Sequence, residues 1–131
     1  MPARQQLNRH SQQPHFVGIV LDDVDPVYVA ETRNAFDRYN KEKYYTQPMN
    51  VMVVDLGEKR KLVSIRGLEN EAAAIDYIRK AKDLAPKEII PWLKTGKYYF
   101  VPIAEDNMEL LLRNQDFPAY QQFIKQLFPD L

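Results

Sequence analysis

Apolar positions along the chain alternate between short β-like runs and longer stretches at helical spacing. The first run, His15 to Leu21 (HFVGIVL), is continuous and β-branched, as expected of a strand buried on both faces. Asp25 followed by Pro26 is a helix start, an acceptor at the cap and proline at the first helical position. Val29, Phe36 and Tyr39 then recur near helical spacing, which predicts a helix from about Pro26 to Tyr44, ended by Thr46-Gln47-Pro48. Asn50 to Leu56 and Lys61 to Leu68 read as two strands. Gly57-Glu58-Lys59-Arg60 between them makes the pair a hairpin. Asn70 caps a second helix, Glu71 to about Leu84, with Ala74, Ile75, Ile78 and Ala81 inward. Pro86 and Pro91 bracket an irregular segment. Gly96 opens a fourth strand, Lys97 to Ile103, in which Pro102 belongs at an end or on an edge. Two short helices close the chain, about Glu105 to Arg113 and Phe117 to Phe128, the second capped by Asp116.

The order β-α-β-β-α-β followed by two helices predicts an α+β, ferredoxin-like antiparallel sheet with two extra C-terminal helices. The domain spans residues 15–131. Residues 1–14, rich in Gln, Arg and Asn, read as a flexible tail or linker, because they carry too little apolar surface to offset their ordering entropy. If Val17, Ile19, Leu21, Val63 and Ile65 face the two main helices, the other sheet face carries Phe16, Gly18, Val20, Leu62, Ser64 and Arg66, with Phe100 or Tyr99 from the last strand. Either the C-terminal helices fold over this face or it meets a partner. Phe16, Val20, Leu62, Ser64, Arg66 and Phe100 are therefore the candidate partner-binding residues. Trp92, in a loop-like stretch, reads first as a core plug and second as a contact anchor.

Composition adds mostly exclusions. Lys plus Arg is 18 and Asp plus Glu is 18, so the net charge is zero, which argues against a protein built to hold a phosphate backbone or an anionic membrane. With no cysteine there are no disulfides, thiolate metal sites or cysteine nucleophiles. No apolar run reaches the roughly 18 residues of a membrane span, so no direct membrane insertion is expected. Only four glycines are present, without a Walker loop, GxGxxG or GxSxG, and no cofactor is expected. RNA recognition on this strand order needs aromatics on the third strand, and KLVSIRGL has none, so no nucleic acid is expected.

Asp22 and Asp23 end the first strand and Asp55 the second. A phosphate-receiver domain also groups acidic residues around Mg²⁺, but it needs alternating strands and helices rather than a hairpin at this point. The plainer reading is a helix start enriched in carboxylates. His10 and His15, the only histidines, do not form a dependable metal pair. Two function classes remain: a non-enzymatic protein-interaction module using the second sheet face, and a small-ligand sensor using Asp22, Asp23 and Asp25, the latter by analogy of fold.

Particular runs also resemble a known family. His15-Phe16-Val17-Gly18-Ile19-Val20 is similar to the opening strand of a domain at the C-terminus of tetratricopeptide-repeat proteins of Bacteroidetes, among them the gliding-motility and type IX secretion lipoproteins called SprE or PorW. Phe36-Asp37-Arg38-Tyr39-Asn40 with Tyr44, Leu62 to Arg66, Glu71 to Tyr77, Phe100-Val101 with Ile103 to Asn107, and Tyr120 with Phe123 resemble successive later parts of that domain. The resemblance covers His15 to Leu131. It departs at Pro102, which interrupts the last strand, at Ala104, where the family carries a helix-capping serine, and at Asn40, one position late. It implies a non-catalytic module behind a helical-repeat array in the bacterial cell envelope. Its partner would be an envelope protein or the preceding repeats of its own chain. The lack of an apolar leader in residues 1–14 fits an excised piece of such a protein.

Overall fold

The computed structural model describes residues 6–131. Four strands, β1 (His15–Asp22), β2 (Asn50–Asp55), β3 (Arg60–Leu68) and β4 (Tyr98–Ala104), form one antiparallel sheet in the order β2-β3-β1-β4. With helices α1 (Pro26–Lys43) and α2 (Glu71–Leu84), this is the expected ferredoxin-like arrangement. Helices α3 (Glu105–Asn114) and α4 (Phe117–Leu127) follow.

Period-two alternation divides the sheet between two cores. Val17, Ile19, Val63 and Ile65 meet α1 and α2 through Phe36, Tyr39, Tyr77 and Ile78. Val20, Leu62, Val101 and Ile103 meet α3 and α4 through Met108, Leu111, Phe117 and Tyr120. The sheet is therefore sandwiched between two helical layers, and the C-terminal helices do fold over the second face. On that face Gly18 leaves room for side chains of the neighbouring strands: a Cβ there would stand 2.7 Å from Leu62 Cδ1 and 3.0 Å from Ile103 Cδ1.

Local signals explain the helix starts. Asp25 accepts a hydrogen bond from the Val27 N–H at 3.0 Å, Asn70 from Ala73 at 3.0 Å, and Asp116 from Ala119 at 3.1 Å. Beyond α2 the coil widens into a π turn at Ala85–Ile89, where the Ile90 N–H reaches the Ala85 carbonyl at 2.8 Å. Pro86 sits in this turn, where a regular helix would lose a hydrogen bond and set the ring against the preceding turn. Pro102 lies on β4, at the edge of the sheet, where its missing N–H breaks no ladder.

The expectation of a flexible tail over residues 1–14 needs correction in its described part; residues 1–5 lie outside the described residues. Gln6–Pro14 has no regular structure, yet it straps both helical layers. The Ser11 carbonyl accepts from the Glu71 N–H at the start of α2, and the Pro14 carbonyl from the Glu105 N–H at the start of α3, each at 3.0 Å. Gln13 takes the next α3 amide, Asp106 N–H, on its Oε1 at 3.2 Å. Arg9 pairs with Glu71 at 2.9 Å, and its guanidinium lies over the Phe128 ring. Specific polar bonds, with Leu7 packed against the second core, thus order a segment poor in apolar residues. They also supply the cap that Ala104 cannot, since that residue makes no side-chain bond to α3.

Candidate functional site

The six candidate partner-binding residues divide into three groups. Val20 and Leu62 are fully buried beneath α3 and α4 and are unavailable to a partner. Phe100 points the opposite way, into the core of α1 and α2, with its ring 5.9 Å from that of Phe36. The residue that β4 turns toward the second layer is its neighbour Tyr99, whose ring lies 6.2 Å from Phe117. Assigning Phe100 to the second face was an error of one position, and a one-residue shift on a strand changes the face. The remaining three, Phe16, Ser64 and Arg66, do come together.

They converge because α3 and α4 cover only part of the sheet. The side nearest β2 stays open as a groove of about 240 Å³, with Phe16, Ser64 and Arg66 joined by Met52 and Val54 from β2 and Leu112 from α3. Met52 is 62% exposed and Leu112 37%. Ser64 is buried, and the Arg66 guanidinium carbon lies 5.2 Å from the centre of the Phe16 ring. Stacked in this way, Arg66 keeps its charge outward while its neighbour stays apolar. Reading the chain alone missed Met52 and Leu112. For Met52 the signal was present, since even positions of β2 alternate away from Val51, which is buried toward α1.

The open edge of β2 is partly guarded. Arg33 Nε donates to the Val51 carbonyl at 3.0 Å, and Gln115 Nε2 to the Asp55 carbonyl at 3.4 Å. Side chains thus occupy edge carbonyls on either side of Val53, where a strand edge would otherwise invite pairing.

A second concavity, about 500 Å³, adjoins the groove and shares Asn50 and Arg66 with it. Asn40 and Tyr44 at the end of α1 and the Thr46–Met49 loop form its walls. That loop rests on Gly67, whose φ of +121° suits glycine and where a Cβ would stand 2.6 Å from the Pro48 carbonyl oxygen. Asn40 is 3% exposed. Its Oδ1 accepts from the Tyr77 hydroxyl at 2.5 Å, and its Nδ2 has no partner. Burial pushes the neighbouring Tyr39 hydroxyl up to about 12, with Tyr44 beside it adding to the shift.

The acidic cluster is split by the structure. Asp25 is spent on capping α1. Asp22 and Asp23 line an open depression of about 840 Å³ together with Lys59, Lys94 and Lys97, so lysines outnumber the carboxylates there. Asp55 pairs with Lys61. Among the described residues no group of three or more His, Cys, Asp or Glu is placed to hold a metal ion. His15 is buried, with Nδ1 bonded to the Gln13 carbonyl at 2.9 Å. Trp92, read first as a core plug, is 43% exposed and stacks on Tyr28 with ring centres 5.6 Å apart.

Comparison of the chain with models of protein families, with curated proteins and with solved structures gives no match in any of the three.

Proposed function

We propose that this domain is a non-catalytic protein-interaction module and that the groove between β2 and α3 is its contact surface. The observation that carries the reading is the exposure of Met52 and Leu112 around a buried floor, with one fixed cation, Arg66, at the rim. An apolar centre with an arginine anchor is the composition of an interface core. The groove is favoured over Asp22, Asp23 and Asp25 because Asp25 is engaged in capping a helix and the other two share their open depression with Lys59, Lys94 and Lys97.

The resemblance to C-terminal domains of helical-repeat envelope proteins supplies a setting for this module. In that setting the partner is an envelope protein linked to secretion or gliding, or the repeats that precede the domain. Neither nucleic acid nor membrane insertion enters the reading.

Affinity capture from a Bacteroidetes envelope extract, read by mass spectrometry, tests it. Wild-type bait is compared with Met52→Asp and Arg66→Glu, each first shown by circular dichroism and melting to be folded. The expected result is one protein retained reproducibly by the wild type and lost with both variants. Capture that neither substitution alters would overturn the assignment of this surface.

A further inference from the structure

We infer that the groove and the adjoining concavity form one continuous site for the carboxyl terminus of a partner chain, the apolar groove taking its last side chains and the concavity its carboxylate. This rests on the interaction-module reading and names the chemistry of the partner. The two spaces are adjacent, with Asn50 and Arg66 lining both. The two compartments differ in chemistry. Met52, Val54 and Leu112 make one side apolar, whereas the other carries Lys41, Arg66, Thr46 and Gln47. No aspartate or glutamate lines either compartment.

Charge selects the occupant. Lys41 is already shared with Asp37 at 2.9 Å. Arg66 makes no ion pair among the described residues; its guanidinium is only stacked on Phe16. A guanidinium held by an aromatic face and open on its edge suits a planar carboxylate, which can accept two parallel bonds from it. The carboxyl end of α1 also faces this region, and its partial negative charge opposes an anion. Lys41 and Lys43 in the last turn offset it. The edge guards on β2 argue against a strand added along its length and favour entry of a chain end. Recognition of a terminal carboxylate is an established mode of peptide binding.

The test uses two displayed libraries of random heptapeptides, one fused through its N-terminus so that every carboxylate is free, the other held between two domains. Selection on the folded chain is expected to enrich only the free-ended library, with apolar final residues. The strongest peptide is then made as the free acid and as the amide. The acid should bind at least tenfold more tightly, and Arg66→Gln should remove most of that difference while leaving the amide unchanged. Equal enrichment from both libraries, with binding lost in Met52→Asp, would refute the carboxylate inference and leave the groove standing as a protein contact. Enrichment from neither library would also refute it, and the groove would then be judged by the capture experiment alone.

Discussion

Asn107 and Asn8 exchange two hydrogen bonds: the Asn107 Nδ2 donates to the Asn8 carbonyl at 2.6 Å, and its Oδ1 accepts from the Asn8 N–H at 3.4 Å. Asn107 is 1% exposed, so the amide belongs to the interior although its partner is a segment without regular structure. The exchange fastens the N-terminal strap to α3. Replacement by leucine leaves the strap backbone unpaired at the edge of the core. Asn107→Leu is expected to lower unfolding stability by about 1–3 kcal/mol. Amide hydrogen exchange at Asn8 to Gln13 should quicken more than at β1. Stability unchanged within about 0.5 kcal/mol would show that the strap contributes nothing there.

Removing the strap as far as Pro14 makes a larger demand. The chain then loses the Ser11 carbonyl that caps α2 and the Pro14 and Gln13 oxygens that cap α3. Each lost cap costs about 0.5–2 kcal/mol. A chain beginning at His15 is expected to melt lower, with exchange accelerated first at the starts of α2 and α3. Unchanged protection at Glu71 and Glu105 would contradict the capping role.

Buried tyrosines set the alkaline limit of stability. Burial raises the hydroxyls of Tyr77 and Tyr120 far above the usual range and that of Tyr39 to about 12, and it raises that of Tyr98 as well. The folded state therefore holds these protons where the unfolded chain, titrating near 10, has released them. The linkage sign follows: stability is fully present below about pH 10 and falls as pH rises above it. In the window from about 10 to 12, Tyr77 and Tyr120, still protonated in the folded state, each contribute up to about 1.4 kcal/mol per pH unit to the slope. Tyr120, whose hydroxyl donates to the Pro102 carbonyl at 2.5 Å, offers the clean test. Tyr120→Phe should flatten the slope above pH 10 by close to one proton while lowering stability at pH 7. A slope identical to the wild type would place that hydroxyl in solvent.

The order of elements was legible in the chain because its punctuation is local. Asp25-Pro26, Asn70 and Asp116 mark helix starts through bonds made within three residues, and the structure places all three as caps. What lay beyond reach depended on distant partners. The extent to which α3 and α4 cover the sheet decides that Val20 is core and Met52 is surface, and no local pattern states it. The strap was misread for the same reason. Its order comes from Glu71, Glu105 and Asn107, far along the chain, and from the one apolar contact of Leu7 against the core under α3 and α4. Phe100 was misassigned because Tyr98, Tyr99 and Phe100 are all aromatic, so β4 lacks the polar alternation that fixes a register.

Close packing on the second face of the sheet, between β1 and the side chains of β3 and β4, gives a steric prediction. Ile103 and Leu62 fill the place that a Cβ on Gly18 would need, and Val101 Cγ2 lies 3.2 Å from it. All three neighbours are buried and have little room to withdraw. Gly18→Ala is therefore expected to destabilise by about 1–3 kcal/mol despite alanine's smaller backbone entropy cost. Pairing it with Leu62→Val should recover part of the loss, because the nearest obstructing atom is Leu62 Cδ1 at 2.7 Å. Strict additivity of the two losses in a double-mutant cycle would contradict the contact.

Trp92 and Phe36 separate an exposed aromatic from a core one. Trp92 keeps 43% of its surface in solvent and leans on Tyr28, itself 49% exposed. Phe36 is fully buried, edge-on to both Tyr39 and Phe100, at the centre of the core beneath α1 and α2. Truncating a buried phenylalanine costs about 3–5 kcal/mol. Losing an exposed stacked pair forfeits about 0.5–1.5 kcal/mol of ring contact beyond the smaller area it buries. Trp92→Ala should therefore lower stability by about 1–2 kcal/mol and Phe36→Ala by at least twice as much, measured by urea unfolding. Because Trp92 is the sole tryptophan, its emission offers an independent check. Tyr28→Ala should shift that emission to longer wavelength while leaving the cooperative transition intact. A loss for Trp92→Ala as large as that for Phe36→Ala would mean that the indole supports the fold and does not simply lie on its surface.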